Sequence, residues 1–111
     1  MQIAQDSRIF AKGAVAVIFA AQHSGQDREG YTRASAAMDA LAARQPGYLG
    51  MEHGGGEDGF GITVSYWADE ASARAWRDHP DHKATRDAGR ARWYTSYRLH
   101  VAYIKRGYAW P

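Results

Sequence analysis

Thr63, Ser65 and Trp67 recur at alternate positions of an apolar run, so an extended backbone sets them on one face. With Gly61 that face is small until Trp67, which leaves space beside an aromatic wall. A mostly apolar space with a few polar groups is how small-molecule sites are built. Trp76 follows on the next helical stretch and His82 just after Pro80, where an imidazole can exchange a proton near neutral pH. Arg86 stands one turn further on. With Arg90 and Arg92 it reads either as a solvated face paired with Asp81 and Asp87, or as an anchor for a carboxylate or phenolate.

Each of these residues also has a plainer role. Burying Trp67, Trp76 or Trp93 contributes about 4 to 6 kcal/mol apiece at about 25 cal/mol/Å² over about 150 to 250 Å², so core or interface packing is their general use. Trp67 is the exception to watch, because Thr63 and Ser65 leave room next to it. His79 directly precedes Pro80 and reads as a helix cap or surface residue, with Asp78 and Asp81 as carboxylates at a helix start. The His79/His82 spacing alone does not make a metal site, since no glutamate completes an HExxH pattern. His100 and His53 lie among strand residues and read as buried, hydrogen-bonded histidines. Gly54 to Gly59 is glycine-rich, but neither a helix nor a Lys-Ser/Thr pair follows it, so it reads as a hairpin rather than a phosphate loop. Serine, histidine and aspartate all occur, but no nucleophile elbow does.

Composition narrows the possibilities. A chain of 111 residues supports one domain with one modest core. The absence of cysteine excludes disulfides, thiolate metal sites and cysteine nucleophiles, and it fits a reducing, cytoplasmic setting. A formal charge of +2, with arginines spread rather than clustered, argues against a nucleic-acid partner. The stretch Gly13 to Ala21 after Arg8 and Lys12 imitates a signal peptide. It alternates as a strand, however, and is far shorter than a membrane span, so no membrane partner is expected.

The elements that must position these residues follow from periodicity. Residues 1–13 read as an N-terminal arm, 14–108 as the domain and 109–111 as a tail. Ala14 to Ala21 is a strand apolar on both faces, Val15, Val17 and Phe19 against Ala16, Ile18 and Ala20. Tyr31, Ala34, Met38, Leu41 and Ala42 recur at helical spacing behind an Asp27 cap, and Pro46-Gly47 ends that helix. A strand from Tyr48 to His53 puts Leu49, Met51 and His53 on one face, and Phe60 to Trp67 returns as its hairpin partner. Asp69 caps a helix carrying Ala71, Ala75 and Trp76. Pro80 opens another with Ala84, Ala88 and Ala91 on one side, where Gly89 costs about 1 kcal/mol unless close packing requires it. Tyr97 to Arg106 closes the domain as a strand with Leu99, Val101 and Tyr103 on one face.

This order predicts an α+β, ferredoxin-like fold: a four-stranded antiparallel sheet with helices on one face. Strands apolar on both sides leave the second face uncovered. A homodimer packed sheet against sheet would cover it and complete a dimeric α+β barrel.

The residues Gln45-Pro46-Gly47-Tyr48-Leu49-Gly50, Gly61 to Trp67, Ala75-Trp76-Arg77, His82 and Gly89-Arg90 together resemble the antibiotic biosynthesis monooxygenase (ABM) domain family. The resemblance runs from about Ala14 to Tyr108 and implies a dimeric α+β barrel of ferredoxin-like subunits. It implies oxidation of polycyclic phenols to quinones with molecular oxygen and no metal or flavin, or, in another branch, haem binding and degradation. In the quinone-forming relatives a strand asparagine and a tryptophan four residues later line the pocket; Trp67 matches the tryptophan and Thr63 replaces the asparagine. The iron-ligating histidine of the haem branch falls on Arg86, with His82 one turn earlier.

The resulting expectation is a cofactor-independent monooxygenase acting on a flat aromatic or quinol-like molecule. Trp67, His82 and Thr63 are the catalytic candidates, and Trp76, Ser65 and Arg86 bind substrate: the tryptophans wall it, His82 handles a proton, Arg86 offsets a phenolate and Thr63 replaces the amide. No metal or other cofactor is expected. The alternatives are a non-catalytic dimeric binding domain and a haem-binding or haem-degrading oxygenase.

Overall fold

The computed structural model describes residues 8–111. The chain runs β1 (Val15–His23), α1 (Arg28–Ala42), β2 (Tyr48–Gly55), β3 (Phe60–Trp67), α2 (Glu70–Arg77), α3 (Pro80–Ala88), a single π turn (Gly89–Trp93) and β4 (Tyr94–Tyr103). The strands form one antiparallel sheet in the order β2-β3-β1-β4, the ferredoxin-like arrangement expected.

Local chemistry sets the boundaries. Asp27 caps α1 through Oδ1, which accepts the Gly30 N–H at 3.2 Å. Asp69 caps α2 through Oδ1, which accepts the Ser72 N–H at 2.8 Å. At α3 the imidazole of His79 is itself the cap, its Nδ1 accepting the Asp81 N–H at 3.1 Å, with Pro80 in the first turn. Gly47 adopts φ 83°, and the Ser72 side chain fills the space a Cβ would need there.

The core is small and sits under α2. Val15, Ala42, Trp67, Ala73 and Trp76 are buried together, and Val17, Met38, Leu41, Tyr48 and Met51 pack around them. Tyr48 meets Trp67 edge-on at 5.7 Å and Trp76 stacks on it at 6.2 Å. A register shift between Tyr48 and Gly50 turns Tyr48 toward this core and leaves Leu49 41% exposed. Leu49 therefore does not share the buried face expected for it beside Met51, because the bulge adds a residue to one strand.

The helical faces also differ from expectation. In α2 the buried pair is Ala73 and Trp76, spaced three apart on one side, and Ala71 and Ala75 are exposed. In α3 no residue is fully buried, and Ala84 faces solvent. The π turn ends α3 before Ala91 and lets β4 begin at Tyr94 rather than Tyr97. Gly89 is buried at that junction, where an added Cβ would lie 2.7 Å from the Tyr94 ring, so close packing does require glycine.

The sheet's other face carries Ile18, Ile62, Val64 and Ala102, and among the described residues no helix lies above them. Phe10 stacks on Tyr66 there at 4.2 Å. Residues 1–7 of the expected arm lie outside the described residues. His100, expected to be buried, is exposed on this face opposite Ile18, since among the described residues nothing covers it. Among the described residues no helix is long and apolar enough to cross a membrane.

Candidate functional site

Between the helix-bearing face of the sheet and the helices lies a cavity of about 340 Å³, within the range of small-molecule sites. Its floor is formed by strand side chains, among them Thr63 and Ser65, and its roof includes Trp76, His82 and Arg86. Five of the six expected site residues therefore border one space.

Trp67 is the sixth and does not face the cavity. It has no accessible surface and lies behind Trp76, with its indole N–H donating to Ser65 Oγ at 3.0 Å. The wall expected of Trp67 is supplied by Trp76, because α2 crosses over the strand end and covers the Trp67 indole. Trp67 shapes the site at one remove: by occupying a lone pair of Ser65 Oγ it leaves the Ser65 hydroxyl proton free to turn into the cavity.

His82 is held by two contacts. Its ring stacks on Trp76 at 4.3 Å with the planes 9° apart, and Nδ1 lies 3.0 Å from the Trp76 carbonyl. A carbonyl only accepts, so Nδ1 carries the proton and Nε2 keeps its lone pair. Burial, followed by the positive charge of Arg86, holds the pKa below the ordinary histidine value, against the opposing effect of the carbonyl bond. His82 is therefore a neutral base at neutral pH. Arg86 lies half-buried nearby, its Nη1 donating to the Arg77 carbonyl at 3.3 Å.

Thr63 has a partner that periodicity did not reveal. It pairs across the β2–β3 hairpin with His53, whose Nδ1 lies 2.8 Å from Thr63 Oγ1 and whose Nε2 lies 2.9 Å from Asp39 Oδ2. His53 is thus hydrogen-bonded as expected but not buried; its side chain is 44% exposed. Hairpin register was the available signal, because a turn centred near Asp58 sets 53 opposite 63. Asp39 belongs to α1, and nothing in the sequence pattern points to it.

The other end of the cavity is aromatic. Phe19, Tyr94 and Tyr97 meet at 5.1 to 6.0 Å, and Tyr31 packs between His23, Trp93 and Tyr94. Burial and then the neighbouring Tyr31 push the Tyr94 phenol well above its usual range, so it stays protonated. Beyond Tyr31 and Trp93 the cavity adjoins a wider groove of about 770 Å³ between the glycine-rich hairpin and the β1–α1 loop, and Phe19, His53 and Thr63 border both spaces. Among the described residues no group of three or more His, Cys, Asp or Glu side chains is placed to hold a metal ion.

The chain's sequence matches the family model described as antibiotic biosynthesis monooxygenase over residues 14–88, which include all six expected site residues. It is 45% identical over 91 residues to the uncharacterised protein YqjZ of Bacillus subtilis, a match spanning 82% of this chain and 79% of that one. Among solved structures it is similar to SnoaB, a cofactor-independent oxygenase from Streptomyces nogalater, with a TM-score of 0.74 and 19% identity over 87% of this chain and 97% of that one. It is likewise similar to protein SO0527 from Shewanella oneidensis, with a TM-score of 0.74 and 11% identity over 86% and 94% of the two chains. At such identities the structural likeness shows the fold alone.

Proposed function

Since the chain belongs to the antibiotic biosynthesis monooxygenase family, we propose that it oxidises a flat hydroxyaromatic or quinol-like molecule with molecular oxygen, using no metal or organic cofactor. The carrying observation is the single cavity bordered by Thr63, Ser65, Trp76, His82 and Arg86. Trp76 provides a flat wall and His82 Nε2 a neutral base, while Arg86 supplies positive charge for a phenolate. Ser65 offers a hydroxyl proton and Thr63 replaces the amide of the quinone-forming relatives. Trp67 acts from behind, fixing Ser65.

An electron-rich phenolate can reduce oxygen directly, so the protein's contribution is to bind, orient and ionise the substrate. At a ring CH₂, one oxygen atom becomes the carbonyl and the other leaves as water with the two hydrogens removed from that carbon. The shared fold of SnoaB, a cofactor-independent oxygenase, supports the absence of a cofactor. Haem is disfavoured at the position of Arg86, because a guanidinium has no lone pair for iron.

The apolar second face supports a homodimer closed sheet against sheet. Oxygen uptake and quinone formation, measured over a panel of phenols and anthrones, test the activity. Turnover that falls when Trp76 or His82 is replaced supports it. A stable complex whose ligand is unchanged after long aerobic incubation indicates a non-catalytic binding domain instead.

A further inference from the structure

Asp39, His53 and Thr63 come from α1, β2 and β3 and join end to end, with 2.9 Å from carboxylate to imidazole and 2.8 Å from imidazole to hydroxyl. All three border the cavity. Direction follows from donor and acceptor chemistry. The Asp39 carboxylate can only accept, so neutral His53 carries its proton on Nε2. Its Nδ1 is then an acceptor and receives the Thr63 O–H. The remaining lone pairs of Thr63 Oγ1 can accept a hydrogen bond from a molecule in the cavity.

We propose that Asp39, His53 and Thr63 form a proton relay that removes the hydroxyl proton of a phenolic ligand lying in the cavity. This deepens the hydroxyaromatic reading above and rests on it. The ligand O–H bond breaks as its proton passes to Thr63 Oγ1, and the Thr63 hydroxyl proton passes to His53 Nδ1. The products are a phenolate and an imidazolium paired with Asp39. Thr63 touches the ligand and is the catalytic residue, while His53 and Asp39 act through it as positioning residues. A threonine in place of an amide is then functional: an amide N–H only donates to the ligand oxygen, whereas a hydroxyl backed by imidazole can take its proton.

The relay is separate from His82. His53 and Thr63 are on the β2–β3 side of the cavity floor, and His82 is on α3 against Trp76. Two proton-handling groups on different walls suit a reaction that first ionises its substrate and later releases water. His53 also borders the outer groove with His23 and Tyr31, which gives the imidazolium a route for returning its proton to solvent.

The probe is 4-nitro-1-naphthol, whose neutral and ionised forms absorb at different wavelengths. Its affinity is measured by quenching of tryptophan fluorescence and its bound ionised fraction by absorbance, at one pH near its midpoint in water. The full-length protein is compared with Thr63→Val, His53→Gln, Asp39→Asn and His82→Gln. The expected result is that Thr63→Val and His53→Gln retain the dye while the bound ionised-to-neutral ratio falls about tenfold. Asp39→Asn should fall less, and the Thr63→Val/His53→Gln double variant should fall no further than either single change. A ratio unchanged in Thr63→Val and His53→Gln, or lost only in His82→Gln, overturns the relay and leaves the pocket reading intact. Failure of the unaltered protein to bind the dye overturns the pocket reading itself, and the relay with it.

Discussion

His82 lies parallel to Trp76 at 4.3 Å and bonds the carbonyl of that same residue through Nδ1. One residue thus fixes both the plane of the imidazole and its tautomer, so α2 and α3 orient the base together.

The low pKa of His82 predicts a pH-dependent stability. Its folded-state value lies below the ordinary 6.5, so between those two values the unfolded chain binds the proton more readily. Stability is full above about pH 6.5 and declines as the pH falls toward the folded value. His23 is shifted in the same direction by burial and adds to the slope. Thermal unfolding scans from pH 8 downward should show the decline, with a shallower slope in His82→Gln.

Trp67 and Trp76 should separate stability from binding. Trp67→Ala removes the fully buried centre of the core and should cost about 3 to 5 kcal/mol in urea unfolding. Trp76→Phe keeps an aromatic wall with less stacking surface and should weaken naphthol binding by roughly threefold to tenfold. Equal losses of affinity in Trp67→Phe and Trp76→Phe would contradict the placement of Trp67 behind the cavity.

Ser65→Ala leaves the buried Trp67 N–H without its acceptor and should cost about 1 to 3 kcal/mol. Chemical denaturation measures this directly. A neutral result would mean that the indole N–H finds water.

Gly89→Ala drives a methyl into the Tyr94 ring, which an undisturbed backbone would hold 2.7 Å away. The expected loss is about 1 to 3 kcal/mol, the usual cost of overpacking. Substitution of the exposed Ala84 should change stability by less than about 0.5 kcal/mol, and paired unfolding curves test the contrast.

The second sheet face predicts association. Ile62 is 40% exposed there, and Ile62→Glu would place a charge at a sheet-to-sheet contact. Sedimentation at micromolar concentration should give a dimer for the natural chain and a monomer for Ile62→Glu. A natural chain that sediments as a monodisperse monomer would refute the dimer.

The sequence by itself determined the element order, the antiparallel sheet and the faces of β1 and β3. Side-chain period is local physics: alternation puts Thr63, Ser65 and Trp67 together whatever the rest of the chain does. Caps and the Pro46-Gly47 turn were legible for the same reason, since Asp27, Asp69 and Pro80 act on backbone groups within a turn of themselves. Only the tertiary structure decided which of Trp67 and Trp76 touches the cavity. Trp67 and Trp76 are equal as hydrophobic residues, and the crossing of α2 over the end of β3 buries one completely and turns the other toward the open space. It also decided the bulge at Leu49, the π turn at Gly89 and the meeting of Asp39, His53 and Thr63. Each depends on how separate elements approach one another in space, which no single element's periodicity encodes.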